Sequence, residues 1–204
     1  MTTPRLPPDD RRRMIVAAAR TVMLRSGLTR ASLRDIALTA EVSVGTVTYH
    51  FRSVNDILRE VVTQESEGFY RGVVEKACAA ADPRAGLRAL VEPMFADTDS
   101  VREHWKIWAD YWGLVGRSPE IAEAYADQIR LWEDACTDLI SRGVHLGVFA
   151  AVPPRETALK LAAYSDGIGI QRAQSVPDLG SGRATDWMLE FASQLLRCDF
   201  GALE

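Results

Sequence analysis

Apolar positions along most of the chain recur every three or four residues, which is the spacing of one face of an α-helix. In the first such segment they are Ile15, Ala18, Ala19, Val22 and Met23, and the positions between them include several arginines. No segment keeps the strict apolar–polar alternation of a half-buried strand for long. The sequence therefore predicts an all-α protein.

Serine, aspartate, glycine and proline mark where the predicted helices begin and end. The expected N-caps are Asp9 or Asp10, Ser32 with Asp35 in a capping box, Ser43, and Ser53 with Asp56 at the third position. Gly27 ends the first helix at about Arg25, and the fourth runs from Ser53 to about Ala80. Further helices are expected at about 83–96, 99–115, 118–143, 154–175 and 182–197, with Gly143 and Gly147 loosening the end of 118–143.

Residues 32–51 read SLRDIALTAEVSVGTVTYHF and predict a helix, a tight turn and a second helix. Ala37 is small where two helices would cross closely, while Val42 and Val47 are apolar and suited to pack between them. A helix of this kind fits a DNA major groove about 12 Å wide. Its outward side chains combine hydrogen-bonding groups and methyl groups, which can read base edges or hold phosphates.

Charge is unevenly distributed although the whole chain carries −4. Residues 1–55 contain nine arginines and four acids, giving +5, and the remainder carries −9. A local surplus of arginine suits a polyanionic backbone, because each neutralised phosphate releases counterions. By itself the asymmetry is equally compatible with an ordinary solvated surface.

The segment from Gly27 to Leu58, GLTRASLRDIALTAEVSVGTVTYHFRSVNDIL, resembles the TetR family of repressors. The resemblance rests on Ile36-Ala37, Val42-Ser43, Gly45 and His50-Phe51, together with the glycine before the second helix. It departs from the family at Val54, where a lysine that contacts phosphate is usual, and at Tyr49, one position after the usual aromatic.

This resemblance implies a three-helix helix-turn-helix DNA-binding domain at 9–55 and a larger helical ligand-binding and dimerisation domain at 56–204. The implied partners are a duplex DNA operator, a small-molecule effector and a second copy of the chain. The predicted DNA-binding residues are Ser32, Arg34, Ser43, Val44, Thr46, Thr48, Tyr49, His50, Ser53 and Asn55. Within this set we expect Thr46 and Tyr49 to face the groove, with Val47 and Phe51 packed inward.

A tryptophan stripe occupies positions 105, 108 and 112, in a stretch (104–125) that resembles the choline-responsive, BetI-type subfamily. The predicted ligand-binding residues are Trp105, Trp108, Tyr111, Trp112 and Tyr125, with Trp132 near and an acid such as Asp110 or Glu133 beside a cationic ligand. Such a stripe is also typical of a helix core. Inside a cavity, tryptophans suit flat apolar ligands equally well.

The last two long helices differ from the others by their small residues and their bulky apolar ones. The resemblance implies that they pair with the same helices of a second subunit. The predicted dimerisation residues are Ala162, Ala163, Asp166, Gly167, Ile170, Trp187 and Phe191. A buried monomer core would show much the same pattern.

Other function classes find little support in the sequence. The three histidines are not paired with Cys or Glu at metal-ligand spacing, and no P-loop or nucleophile elbow is present, so neither enzyme nor cofactor is predicted. A helical enzyme and a plain interaction protein stay as alternatives, which duplex DNA binding would exclude. The three cysteines are expected to be buried, reduced thiols. With no secretory signal and no apolar run of about 20 residues, we expect a soluble, cytoplasmic protein that does not enter membranes.

Overall fold

The computed structural model describes residues 7–115 and 119–201, and side chains except those of 114–129. The described part contains nine α-helices, two short 3₁₀ helices and no strand, which confirms the all-α prediction. The helices are α1 (Pro8–Ser26), α2 (Leu33–Thr39), α3 (Val44–His50), α4 (Val54–Ala79), α5 (Pro83–Val91), α6 (Asp99–Val115), α7 (Pro119–His145), α8 (Pro154–Ala173) and α9 (Ser181–Leu196). The 3₁₀ helices are Leu28–Arg30 and Glu92–Phe95. None of the described helices is both long and apolar enough to cross a bilayer.

The chain forms two compact units. The head unit contains the described residues up to Glu65 and those of Ile107–Ala124, whereas the body unit contains Ser66–Lys106 and the described residues from Tyr125 onward. Helices α4 and α6 therefore supply residues to both units. The functional division at residue 55 stays a prediction, and the compact unit that holds the helix-turn-helix is larger than 9–55.

Serine side chains cap the N-termini of three helices in the head unit, as the sequence predicts. Ser32 Oγ accepts a hydrogen bond from the Asp35 amide at 3.2 Å, and Ser43 Oγ accepts one from the Thr46 amide at 3.0 Å. Ser53 caps α4 in the same way through the Asp56 amide at 3.1 Å. Each cap satisfies an amide that the first helical turn leaves without a partner.

The start of α1 differs from the prediction that Asp9 or Asp10 caps it. The helix begins at Pro8, no side chain caps it, and both aspartates lie within its first turn. Proline is favoured there because the first helical position needs no N–H donor, and acids in this turn interact favourably with the helix dipole. Gly27 ends the helix as predicted, with a φ of 81° that glycine adopts without strain.

The core of the head unit fixes the orientation of α3. Val47 and Phe51 are buried, with exposures of 0% and 2%, which confirms that they pack inward. Arg12 of α1 lies over the Phe51 ring at 4.1 Å and donates a hydrogen bond to the His50 carbonyl at 2.7 Å. Because Arg12 also pairs with Glu60 of α4, this arginine holds three helices together and is not simply part of a DNA-binding surplus.

The end of α7 also differs from the prediction, since the helix continues past Gly143 to His145. A Cβ atom at Gly143 would lie 2.0 Å from the Phe149 ring, so this glycine admits an aromatic ring against the helix. Gly147, with a φ of 69°, lies in the turn that follows. Periodicity and glycine content alone do not distinguish a packing glycine from a terminating one.

The cysteines follow the prediction only in part. Cys136 is buried, and this burial raises the pKa of its thiol. Cys78 is exposed and Cys198 is partly exposed, which corrects the expectation of three buried thiols. Cys78 lies on a part of α4 whose neighbours are largely solvent-exposed.

A close approach between α6 and α8 organises the body unit. The Trp105 indole donates its N–H to the Met94 carbonyl at 2.8 Å and lies parallel to Phe95. A Cβ atom at Gly169 would come within 2.4 Å of this indole. Gly169 therefore gives the ring its space, and the hydrogen bond prevents the ring from moving aside.

We predict that Gly169→Ala destabilises the protein by about 1–3 kcal/mol, the usual cost of overpacking a closed site. Thermal or urea unfolding would measure the change. The control is Gly72→Ala on α4, where nothing lies within 4 Å of the added methyl group. This control should be neutral or stabilising by up to about 1 kcal/mol through helix propensity. Equal stability of the two variants would contradict the packing role.

Candidate functional site

The outer side of α3 forms an exposed polar surface. Tyr49 is 82% exposed and Val44 is 42% exposed, whereas Val47 on the opposite side has no exposure. Thr46 and His50 are partly exposed, and Thr48 is exposed with its hydroxyl bonded to the Gly45 carbonyl at 3.2 Å. This surface has the width and mixed chemistry needed to enter a major groove.

A cleft runs beside this surface and draws on α1 as well as α3. Its lining residues are Pro8, Arg11, Ser43, Gly45, Thr46, Tyr49 and His50. The sequence analysis did not single out Pro8, Arg11 and Gly45 as site residues. The arginine surplus was the signal available for Arg11, but spacing alone could not separate it from Arg12, which is used to hold the core.

The other predicted DNA-binding residues fall into two groups. Arg34 on α2 and Asn55 on α4 are exposed and available for contacts. The hydroxyls of Ser32, Ser43 and Ser53 already accept helix-capping hydrogen bonds. These capped helix starts present backbone N–H groups, which suit phosphate oxygens.

A second candidate site is a small cavity in the body unit, which we term the acidic cavity. Its lining residues come from α4, the second 3₁₀ helix, α7 and α8: Tyr70, Met94, Trp132, Glu133, Ala162, Ser165 and Asp166. The cavity is small and partly open, with about 270 Å³ of empty space that includes open solvent.

The two carboxylates of the acidic cavity differ in their surroundings. Glu133 is 8% exposed and pairs with Arg155 at 2.6 Å, so its charge is compensated. No hydrogen bond or ion pair joins the Asp166 carboxylate to any described residue. Burial, reinforced by the negative Glu133, raises the pKa of Asp166 to about 7. The cavity thus contains one carboxylate whose ionised form a nearby cation would stabilise.

Aromatic rings complete the acidic cavity. Trp132 is 5% exposed and its indole N–H donates to the Leu90 carbonyl at 3.3 Å, which fixes the plane of the ring. Tyr70 is also 5% exposed, and its hydroxyl lies 3.3 Å from His104 Nε2. Ring faces next to an ionisable carboxylate are groups that bind quaternary ammonium ions.

The predicted tryptophan stripe does not lie within one unit. Trp105 belongs to the body unit and is enclosed by Met94, Phe95 and Gly169, as in a core. Trp108 and Tyr111 belong to the head unit and are buried, and burial raises the pKa of Tyr111 to about 12. The other two predicted ligand residues are Trp112, whose side chain is 41% exposed, and Tyr125, whose side chain is outside the described part of the chain.

The sequence also suggested Trp132 and an acid, Asp110 or Glu133, near the ligand, and the structure places these residues at different sites. Trp132 and Glu133 do line the acidic cavity. Asp110 instead accepts a hydrogen bond from the Leu28 amide in the head unit, at 3.0 Å. The sequence analysis missed Tyr70, Met94 and Ser165 because they lie on separate helices with no shared motif.

The predicted dimerisation residues occupy two sides of α8. Ala162 and Asp166 line the acidic cavity, and their part in dimerisation stays a prediction. Ala163 is exposed, Ile170 is half-buried, and nothing lies within 4 Å of a Cβ atom added at Gly167. On α9, Trp187 is 44% exposed.

Phe191 on α9 and Tyr164 on α8 form an outward aromatic pair, with ring centroids 4.4 Å apart. Trp187 and these two rings line one shallow groove together with Glu190 and Gln194. This outer α8–α9 face combines large apolar side chains with an open small-residue position. It is the type of exposed patch that marks an association surface.

Comparison with known proteins matches both parts of the chain to described families. Residues 15–61 match the family described as "Bacterial regulatory proteins, tetR family". Residues 83–197 match "BetI-type transcriptional repressor, C-terminal", which covers more than half of the chain. The chain belongs to the TetR family, in its BetI-type branch.

Relatives extend the similarity over nearly the whole regulator. This chain is 27% identical over 170 residues to the HTH-type transcriptional regulator BetI of Burkholderia thailandensis, and the match covers 81% of this chain and 83% of that protein. A regulator from Saccharomonospora viridis, solved in complex with choline, superposes with a TM-score of 0.83 at 27% identity. That match covers 91% of this chain and 96% of the other. A Rhodococcus regulator with a TM-score of 0.82 and 19% identity shares the fold, covering 92% and 99% of the two chains.

The family membership confirms the TetR resemblance and the class of activity. The regulator binds DNA and controls transcription, with a helix-turn-helix head followed by a helical body. Its relatives are named as transcriptional regulators. Which of its residues make each contact stays a prediction.

We predict that Tyr49→Ala weakens operator binding by about 1–2 kcal/mol, or roughly five- to thirtyfold, because an exposed contact is removed. Binding would be measured by fluorescence anisotropy on a duplex that the wild-type protein selects from a random library. Thermal stability should stay close to that of wild type, since the side chain is 82% exposed.

Two further variants of α3 distinguish the loss of a DNA contact from a loss of protein stability. Tyr49→Phe keeps the ring and shows whether the hydroxyl contributes to binding. Val47→Ala truncates the buried side and should lower the melting temperature. An operator affinity of Tyr49→Ala equal to that of wild type would remove Tyr49 from the interface.

Proposed function

We propose that this regulator is a homodimeric repressor, acting in the cytoplasm, that binds a palindromic operator through α3 and is released by a quaternary ammonium compound. The observation that carries the effector part is the acidic cavity, where the Asp166 carboxylate has no described partner and lies among aromatic rings. The solved relative that binds choline supports this choice of ligand class.

The acidic cavity suits a cation for electrostatic reasons. A partly buried carboxylate without a cationic partner is disfavoured when ionised, and a bound cation would reduce this penalty. Trp132 and Tyr70 also line the cavity, and aromatic rings attract methylated ammonium groups, which have no N–H to donate. The net −9 of residues 56–204 increases the local concentration of such cations.

The narrowness of the cavity links ligand binding to a change of conformation. We propose that choline enters with a rearrangement of the lining from α4, α7 and α8, because the cavity between them is small. A ligand shifts the equilibrium between two states by its difference in affinity for them. We propose that the widened state binds the operator less tightly.

The dimer follows from the outer α8–α9 face and from operator symmetry. Exposed Trp187, with Phe191 and Tyr164, forms an apolar surface of the kind that a second copy covers. A two-fold dimer presents two recognition helices to half-sites about 34–36 Å apart. When the two DNA-binding parts of the dimer change their separation, the recognition helices no longer match both half-sites, and the operator is released.

We predict that choline binding becomes tighter as pH rises through about 7. The cation favours ionised Asp166, so a protonated Asp166 must lose its proton when choline binds. Affinity should be roughly tenfold higher at about pH 8 than at about pH 6, because the ionised fraction rises by that factor around a pKa near 7. Isothermal titration calorimetry in two buffers of different ionisation enthalpy would measure both affinity and proton release.

Asp166→Asn provides the matched control for this pH dependence, since it keeps the shape of the side chain. Choline binding to this variant should be weak and independent of pH over the same range. Ser165→Ala, at the adjacent lining position, should keep the pH dependence. Tighter binding of flat apolar compounds than of choline, with no pH dependence, would contradict a cationic effector.

We predict that the wild-type protein sediments at twice its 22.6 kDa chain mass at micromolar concentration. Gly167→Arg should produce monomers, because it places a long charged side chain on the outer α8–α9 face. Gly72→Arg is the matched control, since Gly72 also lies in a helix with open space around it. A monomeric wild-type protein in analytical ultracentrifugation would exclude the dimer and the palindromic operator.

A further inference from the structure

Two backbone hydrogen bonds close the turn between α2 and α3. The Glu41 amide donates to the Leu38 carbonyl at 3.2 Å, and the Val42 amide donates to the Ala37 carbonyl at 2.9 Å. This pair of bonds is a common way for a helix to end, and it requires a left-handed residue directly after the helix. Glu41 is that residue, with a φ of 53°.

A glutamate is an unfavourable choice for this position. Residues with a Cβ atom rarely adopt a positive φ, and glycine is the usual residue where a helix ends in this way. Glu41 is exposed, and no hydrogen bond or ion pair joins its side chain to any described residue. Contacts within the described part of the chain therefore do not compensate for the strained backbone.

The three acids that precede Glu41 in the sequence each stabilise the fold locally. Asp9 and Asp10 lie in the first turn of α1, where a negative charge interacts favourably with the helix dipole. Asp35 accepts a hydrogen bond from the Ser32 hydroxyl at the start of α2. Glu41 has no comparable role within the described residues, so its carboxylate is free to act on a partner outside the chain.

Glu41 lies close to the outer surface of α3. Ser43, two residues later, caps this helix and lines the cleft beside it, together with Thr46 and Tyr49. Two residues of chain span at most about 7 Å, which is less than the Debye length of about 8 Å at physiological ionic strength. A negative charge on Glu41 therefore acts on phosphates that approach this surface.

We propose that Glu41 limits the affinity of the regulator for duplex DNA by holding a negative charge beside the phosphates that flank the groove. This role rests on the proposed placement of α3 in the major groove. Phosphate attraction is the sequence-independent part of DNA binding, whereas base contacts carry the sequence information. Because the acid lowers the first part, base contacts supply a larger share of the total affinity.

The test is a series of charges at position 41. Glu41→Gln removes the charge and keeps the length of the side chain, whereas Glu41→Lys reverses the charge. Glu41→Gly removes the charge and also relieves the backbone. Glu75→Gln removes one negative charge from an exposed position of α4 in the body unit and serves as the control. Fluorescence anisotropy would measure binding to a random-sequence duplex and to a duplex that the wild-type protein selects.

We expect Glu41→Gln to bind both duplexes about two- to threefold more tightly than wild type at about 0.1 M salt. Glu41→Lys should tighten binding by a further factor of about the same size, because the charge changes by one more unit. Both gains should shrink towards about 0.5 M salt, since added ions screen the carboxylate from the phosphates. Glu75→Gln should stay within about 1.5-fold of wild type.

Glu41→Gly separates the charge of the side chain from the strain of the backbone. This variant should bind DNA as tightly as Glu41→Gln and should melt about 2–4 °C higher, because glycine adopts a positive φ without strain. Circular dichroism would confirm that each variant is folded. A purely structural role of Glu41 would change the melting temperature without an ordered response of DNA affinity to charge and salt.

Three results would overturn the inference: unchanged affinity in Glu41→Gln and Glu41→Lys, weaker binding by Glu41→Gln, or an equal gain in Glu75→Gln. Weaker binding would show that the carboxylate contacts the DNA favourably. A wrong placement of α3 is recognised separately, because Tyr49→Ala would then also leave operator affinity unchanged. If Tyr49→Ala weakens binding while the charge series has no effect, the role of Glu41 fails alone.

Discussion

The regulator depends on one constraint, which is that α4 and α6 each bury side chains in both compact units. In α4, Ile57 and Val61 belong to the head unit and Tyr70 to the body unit. In α6, Trp105 belongs to the body unit and Trp108 to the head unit. Closely packed side chains resist rearrangement, so these buried positions hold each part of α4 and α6 within the unit to which it belongs.

The two carboxylates of the acidic cavity differ in how their charge is compensated. Glu133 has its cation in Arg155, so its charge contributes to the folded structure whether or not a ligand is present. Asp166 has no such partner among the described residues, and its raised pKa reflects the cost of burying an uncompensated charge. Its pKa of about 7 leaves this carboxylate partly protonated near neutral pH, and a cation entering the cavity would favour loss of that proton.

Local features of the fold were predictable from the sequence because their causes are local. The caps formed by Ser32, Ser43 and Ser53 depend on side chains within three residues of the amides that they satisfy. Gly27 ended α1 as predicted, since a positive φ is needed within a single turn. The inward packing of Val47 and Phe51 followed from helical periodicity.

The acidic cavity could not be predicted in the same way. Its residues come from four elements separated by tens of positions, and helical periodicity gives the face of a helix without identifying what that face meets. Asp166 illustrates the difficulty, because its small neighbours suggested a subunit contact and gave no sign that it lines a cavity. The tryptophans were similarly ambiguous, because the sequence alone does not show whether a tryptophan belongs to the core or lines a cavity. Trp105 fills a core position opposite Gly169, and Trp132 lines the cavity.

The opposite charges of the two parts of the chain sort two ligands of opposite charge. Residues 1–55 carry +5, which suits a polyanionic duplex, and the remainder carries −9, which suits a cationic effector. At physiological ionic strength the Debye length is about 8 Å, so the negative charge of the body is screened over longer distances and does not prevent the head from approaching DNA. Any such attraction is therefore local, because each ligand responds mainly to the charges within about one Debye length of its own site.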